Sequence, residues 1–273
     1  HALGAAGYKP VQIGRMHFNG GDQHHGFTLR LVGDHSPNWP GSVKPVDHGE
    51  LHGTAGPARV SLEKSGPGQS AYEVHDEAVA EATETYIAKL KSSHLDKHDQ
   101  PFSIHIGLML PHQPFVARPK DFARYQGKVG HPIVPAEPIE SCHPYIRWWR
   151  SRTGIENVTD EEIIRSRTAY WALVDRTDAL VGRILSSLES AGMMKNTLVV
   201  YTSDHGDQLG EHGLWWKQTF YENSARVPAI VSWPGILPAG QVVNRVINQF
   251  DLMATVLDAA GTPDLPRSRG RSL

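Results

Sequence analysis

The chain has 273 residues, which is enough for one large α/β domain with a sizeable core. Its formal net charge of -2 argues against nucleic acid as a partner, and no apolar run is long enough to span a membrane. The single cysteine excludes an intrachain disulfide and favours a reducing compartment, so we expect a cytoplasmic protein. No secretory signal is visible, but a segment upstream of His1 could carry one, so a periplasmic or secreted protein stays open.

The first part of the chain alternates between helical and strand patterns. Residues 2–7 are typical of a last helical turn with a glycine stop, and residues 8–13 are typical of a short strand. Residues 19–70 are rich in Gly, Pro, His and Ser without a period, which predicts long irregular loops. Apolar residues at helical spacing predict a helix over residues 75–92. Residues 102–110 predict a strand with little alternation, as expected when both of its faces are covered.

The clearest helix follows a proline-rich segment, residues 116–158, which we interpret as loop. Thr159 and Glu162 have the spacing of a capping box, which predicts that the helix begins there, and Gly192 is its predicted stop. The helical period predicts one apolar face, formed by Ile163, Ile164, Trp171, Val174, Val181, Ile184, Leu185 and Leu188.

The last part of the chain completes the pattern. Residues 197–203 predict a buried strand, residues 227–233 predict a second strand, and residues 251–261 predict a final helix with a glycine stop. Helices that alternate with apolar strands indicate the α/β class, with a mostly parallel central sheet sandwiched by helices. In such sheets, ligands bind beyond the carboxyl ends of the strands.

Polar clusters follow three of the predicted strands directly. They are GRMHF at residues 14–18, PHQPF at residues 111–115 and SDHGD at residues 203–207. If the three strands are near neighbours in one sheet, these clusters lie at the same edge. The topology therefore predicts one shared site.

The third cluster and the segment after it contain a carboxylate, an imidazole and an ammonium group. Asp204 and His205 are a hard oxygen ligand and a nitrogen ligand on a tight turn, which suits a metal ion. The alternative is that Asp204 caps the turn and His205 is a surface residue. Lys217 stands among aromatic residues, where it either provides a fixed charge for an anionic oxygen or extends its charged end into solvent. Spacing alone favours the second interpretation of Lys217.

The other two clusters offer groups for oxyanion binding and proton transfer. Arg15 and His17 point to the same side if their segment is extended, a pairing that suits an oxyanion and a proton transfer. His112 is held stiffly by prolines and is a candidate general acid. The alternative is that all three are ordinary loop residues. Cys142 beside His143 is a conceivable nucleophile, but a lone loop cysteine is more often inert.

Taken together, these segments resemble the sulfatase family, within the alkaline phosphatase superfamily. The stretch YTSDHGDQLGEHGLWWKQTFYENSARVPAIVSWPG, residues 201–235, is similar to the metal and sulfate segment of the family nearly residue for residue. AGYKPVQIGRMHF is similar to its segment beside the nucleophile, LPHQPF to its Pro-His turn, and FDLMATVLDAAGTPDLP to the stretch that closes its large domain. The resemblance covers nearly the whole chain and is strongest to choline-sulfatase-like members.

This resemblance implies a divalent metal. Asp204 and His205 match the positions of metal ligands, with His205 where many sulfatases have Asn. A related Asp-His pair is seen in phosphonate monoester hydrolases. Ca²⁺ is the expectation for the family, and the nitrogen ligand leaves Mn²⁺ or Zn²⁺ open.

The resemblance also implies catalytic roles. Lys217 and His112 would contact the sulfate and the leaving oxygen, with His112 as a candidate general acid. Arg15 takes the place of the usual Lys beside the nucleophile, which keeps the charge but changes its reach. His17 would be the base that releases sulfate from the covalent intermediate.

The chain departs from the family pattern at both ends. The Cys/Ser-x-Pro-Ser-Arg motif, whose first residue becomes the formylglycine nucleophile, is missing, and Cys142 does not match it. The acidic metal ligands that precede that motif and the smaller C-terminal domain are also missing. We therefore expect residues 1–273 to be part of the large catalytic domain, truncated at both ends and inactive alone.

The resemblance implies a hydrolase of small-molecule sulfate esters whose nucleophile lies outside this chain. A phosphonate or phosphate ester hydrolase on the same scaffold is the second hypothesis, and a non-catalytic remnant is the third. The sequence leaves a homo-oligomer open.

Overall fold

The computed structural model describes residues 1–36, 39–48, 51, 56–95, 100–263 and 265–273. Two 3-10 turns and the following helices are present in this part: Ala2–Ala5 (α1), Arg59–Glu63 (α2), Ala71–Leu95 (α3), Pro119–Tyr125 (α4), Pro144–Thr153 (α5), Asp160–Ser190 (α6), Glu222–Ala225 (α7) and Gln249–Ala259 (α8). The strands are Lys9–Gly14 (β1), Leu29–Arg30 (β2), Gly66–Pro67 (β3), Phe102–Gly107 (β4), Val116–Ala117 (β5), Val199–Thr202 (β6) and Ala229–Ser232 (β7).

Parallel pairing dominates the largest sheet. Its order is β2-β1-β4, with Val11 opposite both Leu29 and Ile104. Strands β3 and β5 form a second, two-stranded parallel sheet. The predicted α/β class with parallel strands and covering helices is therefore confirmed.

The arrangement of β6 corrects one expectation. The shared site was predicted on the condition that the three strands are neighbours in one sheet, but among the described residues β6 pairs with β7 alone, in antiparallel register, with Val199 opposite Ser232. The strand over residues 197–203 was also expected to be buried, yet Tyr201 is exposed and Val199 is only partly covered. Burial of an apolar strand depends on the elements stacked on it, and few cover this pair.

Two apolar clusters support the site. In the first, Val11 and Ile13 of β1 pack against Val79 and Tyr86 of α3. The second lies around α6 and includes Phe115, Leu173, Leu180, Trp215 and Trp216. Burial of large side chains such as these is the main favourable term in folding, at roughly 25 cal/mol per Å².

Helix α6 has the predicted beginning but a different buried face. Glu162 N donates to the Thr159 side chain and Thr159 N donates to Glu162, so the capping box is formed. Trp171 and Val174 are 47% and 45% exposed, however, contrary to the predicted apolar face. The buried positions include small residues instead, because α3 and α4 approach closely there: Ser166, Thr168, Ala169, Ala172, Leu173, Thr177, Leu180, Ile184 and Leu188.

Residues 116–158 are not simply loop. They contain α4 and α5, and each of these helices begins with a proline at its first position, where a missing N–H costs nothing. Part of the segment predicted as irregular, residues 19–70, lies outside the described residues, and the rest is irregular apart from α2 and two short strands. Of the helices described, none combines the length and apolarity needed to cross a bilayer.

Candidate active site

The segments that follow β1, β4 and β6 lie close together. The ring centroids of His112 and His205 are 6.3 Å apart, and Lys217 Nζ is 2.5 Å from His205 Nε2. The charges of Lys217 and Asp204 both act on the pKa of His17, which burial lowers. The structure thus brings residues from four stretches of the chain into one cluster.

His205 presents an unprotonated nitrogen to this cluster. Its Nδ1 is 2.8 Å from the carbonyl oxygen of Gly206, and because a carbonyl only accepts, Nδ1 carries the proton. Nε2 therefore keeps its lone pair, and Lys217 Nζ donates to it. Asp204 Oδ2 lies 3.6 Å from the same Nε2, and its side chain is 80% exposed.

These two side chains fit a divalent cation as two of its ligands. A carboxylate oxygen and an imidazole lone pair that face one point are suitable donors for such an ion. Within the described residues, no group of three His, Cys, Asp or Glu side chains is arranged to hold a metal ion. Asp204 and His205 therefore provide a partial donor set, and Lys217 must leave Nε2 before that atom can bind a cation.

Lys217 points towards the cluster rather than towards solvent. The side chain is half-buried, and burial is the main cause of the lowered pKa of its ammonium group, with the Arg15 charge acting in the same direction. The carboxylates of Asp204 and Asp207 act in the opposite direction. The positive charges of Arg15 and Lys217 repel each other in a partly buried environment, and an anion between them relieves that repulsion.

His112 is neutral at pH 7. Burial lowers its pKa to about 4, and the charges of Lys217 and Arg15 contribute to the lowering. Its Nδ1 donates to the carbonyl oxygen of Gln113 at 2.8 Å, so Nε2 is the unprotonated nitrogen. In this state His112 accepts a proton, and it becomes an acid only when a nearby negative charge raises its pKa.

A buried carboxylate holds the loop with Arg15 and His17. Asp34 Oδ1 accepts hydrogen bonds from Met16 N at 2.9 Å and His17 N at 3.3 Å, and it lies 3.9 Å from Arg15 Nη1. His17 has φ of 56°, in the left-handed region, so its backbone needs this support. The sequence prediction missed Asp34, since its partners are backbone groups about 18 residues away.

Two further carboxylates hold the other segments in the same way. Asp76, on α3, accepts from Met109 N and Leu110 N at 2.8 to 2.9 Å, at the start of the turn that carries His112. Asp207 Oδ1 accepts from Leu209 N at 2.9 Å and Trp216 N at 3.1 Å, next to Lys217. Burial raises the pKa of Asp207 to about 7, although these hydrogen bonds and Lys217 oppose the rise.

Cys142 lies elsewhere. Its thiol is buried against Arg150 Nη1 at 3.9 Å and the carbonyl oxygen of Pro138 at 3.4 Å. This environment belongs to the loop before α5, away from the cluster of Lys217 and His205.

Comparison with known proteins assigns the chain to a family. Residues 1–262 match the family model of the sulfatases. The chain belongs to the sulfatase family. It is 34% identical to the choline-sulfatase of Rhizobium meliloti (strain 1021), over 96% of this chain and 52% of that protein. It is also 34% identical to arylsulfatase K of Homo sapiens, over 63% of this chain and 34% of that protein. The chain thus spans about half the length or less of the curated relatives it matches.

Solved structures agree with the fold. The phosphonate monoester hydrolase of Agrobacterium radiobacter superimposes with a TM-score of 0.75 and 22% identity, over 100% of this chain and 60% of that chain. A 2-O GAG sulfatase superimposes with a TM-score of 0.67 and 20% identity, over 100% of this chain and 54% of that chain. The predicted resemblance and the alkaline-phosphatase-like fold are confirmed. Sulfatases as a family use a divalent metal.

Proposed function

We propose that this sulfatase chain carries part of the active site of a metal-dependent hydrolase of small-molecule sulfate esters. The observation that carries the proposal is the contact between Lys217 and His205, within a cluster that also includes Arg15 and His112. Cations and imidazoles at the ends of strands form a place for a sulfate group, and family membership supports this interpretation.

Arg15 and Lys217 would bind the sulfuryl oxygens. Each charge makes the other more costly in a half-buried place, which is the reason that Arg15 lowers the pKa of Lys217. A bound sulfate group relieves that repulsion, and preorganised charges of this kind stabilise a transition state in which negative charge develops on the oxygens.

His112 and His17 would move protons. A sulfate group beside His112 raises its pKa above the value of about 4 found without an anion, so Nε2 can take up a proton and give it to the leaving oxygen. His17, whose pKa is lowered by burial, would serve as the base that releases sulfate from a covalent intermediate. We expect the nucleophile, a formylglycine in this family, outside residues 1–273.

Asp204 and His205 would contribute two ligands to the divalent metal. Ca²⁺ is the ion we expect, and Mn²⁺ or Zn²⁺ suits a nitrogen donor such as His205 Nε2. When bound, the ion supplies positive charge to the sulfuryl oxygens. The contribution of this chain is to hold the carboxylate oxygen and the imidazole nitrogen 3.6 Å apart.

A phosphonate or phosphate ester hydrolase is the second candidate. The Asp204-His205 pair supports it, and the likeness in fold to a phosphonate monoester hydrolase is compatible with it. The ratio of turnover on an aryl sulfate to that on an aryl phosphate diester, measured in the longest protein that the gene encodes, separates the two candidates.

Sulfate binding tests the anion clamp in this chain. Sulfate is titrated into residues 1–273 by calorimetry, with Arg15→Gln, Lys217→Ala and, as a matched control, the exposed Lys195→Ala. We expect each of the first two to weaken sulfate binding by roughly tenfold or more, the loss that follows removal of a charge-assisted hydrogen bond. Equal affinities in all four proteins would remove Arg15 and Lys217 from the clamp.

A further inference from the structure

Arg150 is a buried cation that pairs with no carboxylate among the residues the structure describes. The residue is 7% exposed, and its Nη1 donates to the carbonyl oxygen of Glu137 at 3.0 Å. Nε has no hydrogen-bond partner. Throughout the described part of the chain, no carboxylate forms an ion pair with this guanidinium. The Cys142 thiol, 3.9 Å from Nη1, is its other neighbour.

This arrangement leaves a charge to be balanced. An arginine stays protonated at every pH at which proteins fold, so Arg150 cannot avoid the cost of burial by losing its proton. The carbonyl of Glu137 and the last turn of α5 present only partial negative charges to it. Buried charges in folded proteins are nearly always paired, so the unmatched cation indicates that an anion binds beside it.

A cavity of about 250 Å³ adjoins Arg150. Its walls are mainly apolar, and the side chains that define its shape are Pro132, Pro135, Ala136, Ile155, Ile163 and Trp215. His131 and Glu156 also line the cavity, and both are exposed, so the Glu156 carboxylate stays hydrated whereas the Arg150 charge is buried. An apolar pocket with one charged group is the usual form of a site for a small organic ion.

We propose that this cavity binds a short-chain carboxylate, with its carboxylate group against Arg150 and its hydrocarbon part against the proline and tryptophan wall. The guanidinium fork pairs well with a carboxylate, and the apolar wall favours an anion with a hydrocarbon part over an inorganic one. At about 30 Å³ for each water molecule, the cavity has room for about eight waters, which limits the ligand to a few carbon atoms. The site shares no side chain with the cluster around Lys217.

The experiment uses butyrate as the probe and sulfate as the tetrahedral comparison. Each is titrated by calorimetry into residues 1–273 in chloride buffer. We expect saturable butyrate binding that Arg150→Gln weakens by at least about tenfold. The matched control is Arg152→Gln, which removes the same charge from an exposed position of α5 and should bind butyrate as the wild type does.

A Lys217→Ala variant separates this site from the proposed sulfate clamp. Lys217→Ala should weaken sulfate binding and leave butyrate binding unchanged. Arg150→Gln should weaken butyrate binding and leave sulfate binding unchanged. Failure of sulfate binding alone would therefore count against the proposed function, and failure of butyrate binding alone would count against the carboxylate site.

A second variant tests the cavity independently, in case Arg150→Gln does not fold. Ala136→Leu, at an exposed position, narrows the cavity and leaves Arg150 in place, so it should weaken butyrate binding more than formate binding. The proposal is overturned if wild-type protein shows no saturable butyrate binding, or if both variants bind it as tightly as the wild type. Equal dependence of sulfate and butyrate on Arg150 would overturn the assignment to a carboxylate.

Discussion

The buried pair of His75 and Asp76 gives the sharpest test of the structure. Both side chains are 0% exposed. His75 Nε2 lies 2.9 Å from the carbonyl oxygen of Gly33, and Nδ1 lies 2.8 Å from Asp76 Oδ1. Both ring nitrogens of His75 therefore lie within hydrogen-bond distance of an oxygen that can accept. Asp76 also accepts from Met109 N and Leu110 N, at the start of the turn that carries His112.

Two substitutions at Asp76 should differ widely in stability. Asp76→Ala leaves His75 Nδ1 and two backbone N–H groups without the carboxylate that they contact, and removing one partner of such a buried network costs about 3 to 5 kcal/mol. Asp76→Asn should cost only about 1 kcal/mol. Its oxygen can still accept from the backbone, and its amide group stays within reach of Nδ1.

Urea unfolding followed by tryptophan fluorescence measures this difference. The exposed Asp178→Ala on α6 is the matched control, and it should lie within about 0.5 kcal/mol of the wild type. If Asp76→Ala were no less stable than Asp178→Ala, the carboxylate would not hold the turn. If Asp76→Asn and Asp76→Ala were equally unstable, the amide would not replace the carboxylate as the partner of His75 and of the backbone N–H groups.

Further predictions concern turnover, metal and pH. Residues 1–273 alone should not hydrolyse an aryl sulfate. In an active longer protein, steady-state rates should show that Lys217→Ala lowers turnover about 10²- to 10³-fold and that Lys217→Arg restores part of it. Calorimetry should show weak cation binding by residues 1–273 and none for Asp204→Ala, and wild-type affinity in that variant would exclude Asp204 as a ligand. Burial lowers the pKa of His35 to about 4, so only the unfolded chain takes up its proton near pH 6.5. The free energy of unfolding should therefore fall between pH 6.5 and 4. In urea titrations, His35→Gln should make this fall smaller by about 2 to 3 kcal/mol. Above pH 7 the variant and the wild type should show the same dependence on pH.

Elements with strong local signals could be predicted from the sequence. The capping box at Thr159 works through residues three apart, and α3 has apolar residues at helical spacing. The helices α4 and α5 were missed because their prolines occupy first-turn positions, where proline favours a helix rather than ending it. Such positions can be recognised only when the helix that follows is already assumed.

Burial is less local than secondary structure. Trp171 and Val174 belong to an apolar pattern but are exposed, while Ala169 and Thr177 are buried where α6 meets its neighbours. A close helix contact selects small side chains, and a hydrophobic period gives them little weight. The apolar residues of β6 likewise did not predict burial, since Val199 and Val200 are only partly covered and Tyr201 is exposed.

The residues of the candidate site also fall into two groups, those that the sequence predicts and those that it does not. Groups that follow strands, such as His112 and His205, could be found from the sequence because topology places strand ends together. Asp34 and Asp76 could not, because they act on backbone N–H groups about 18 and 33 residues away. A carboxylate that holds a backbone segment carries no motif, and the loop conformation it supports exists only in the folded chain.

The contact between Lys217 and His205 links the two ions of the proposed site. His205 Nε2 has one lone pair, which Lys217 Nζ uses at 2.5 Å, and a metal ion would need the same lone pair. If His205 Nε2 held a cation, the Lys217 ammonium group would lose this acceptor, and in its half-buried position near the Arg15 charge it would favour an anion. In the proposed function, Lys217 would therefore be available to sulfate when His205 holds the cation, because a single nitrogen atom can serve only one of the two partners.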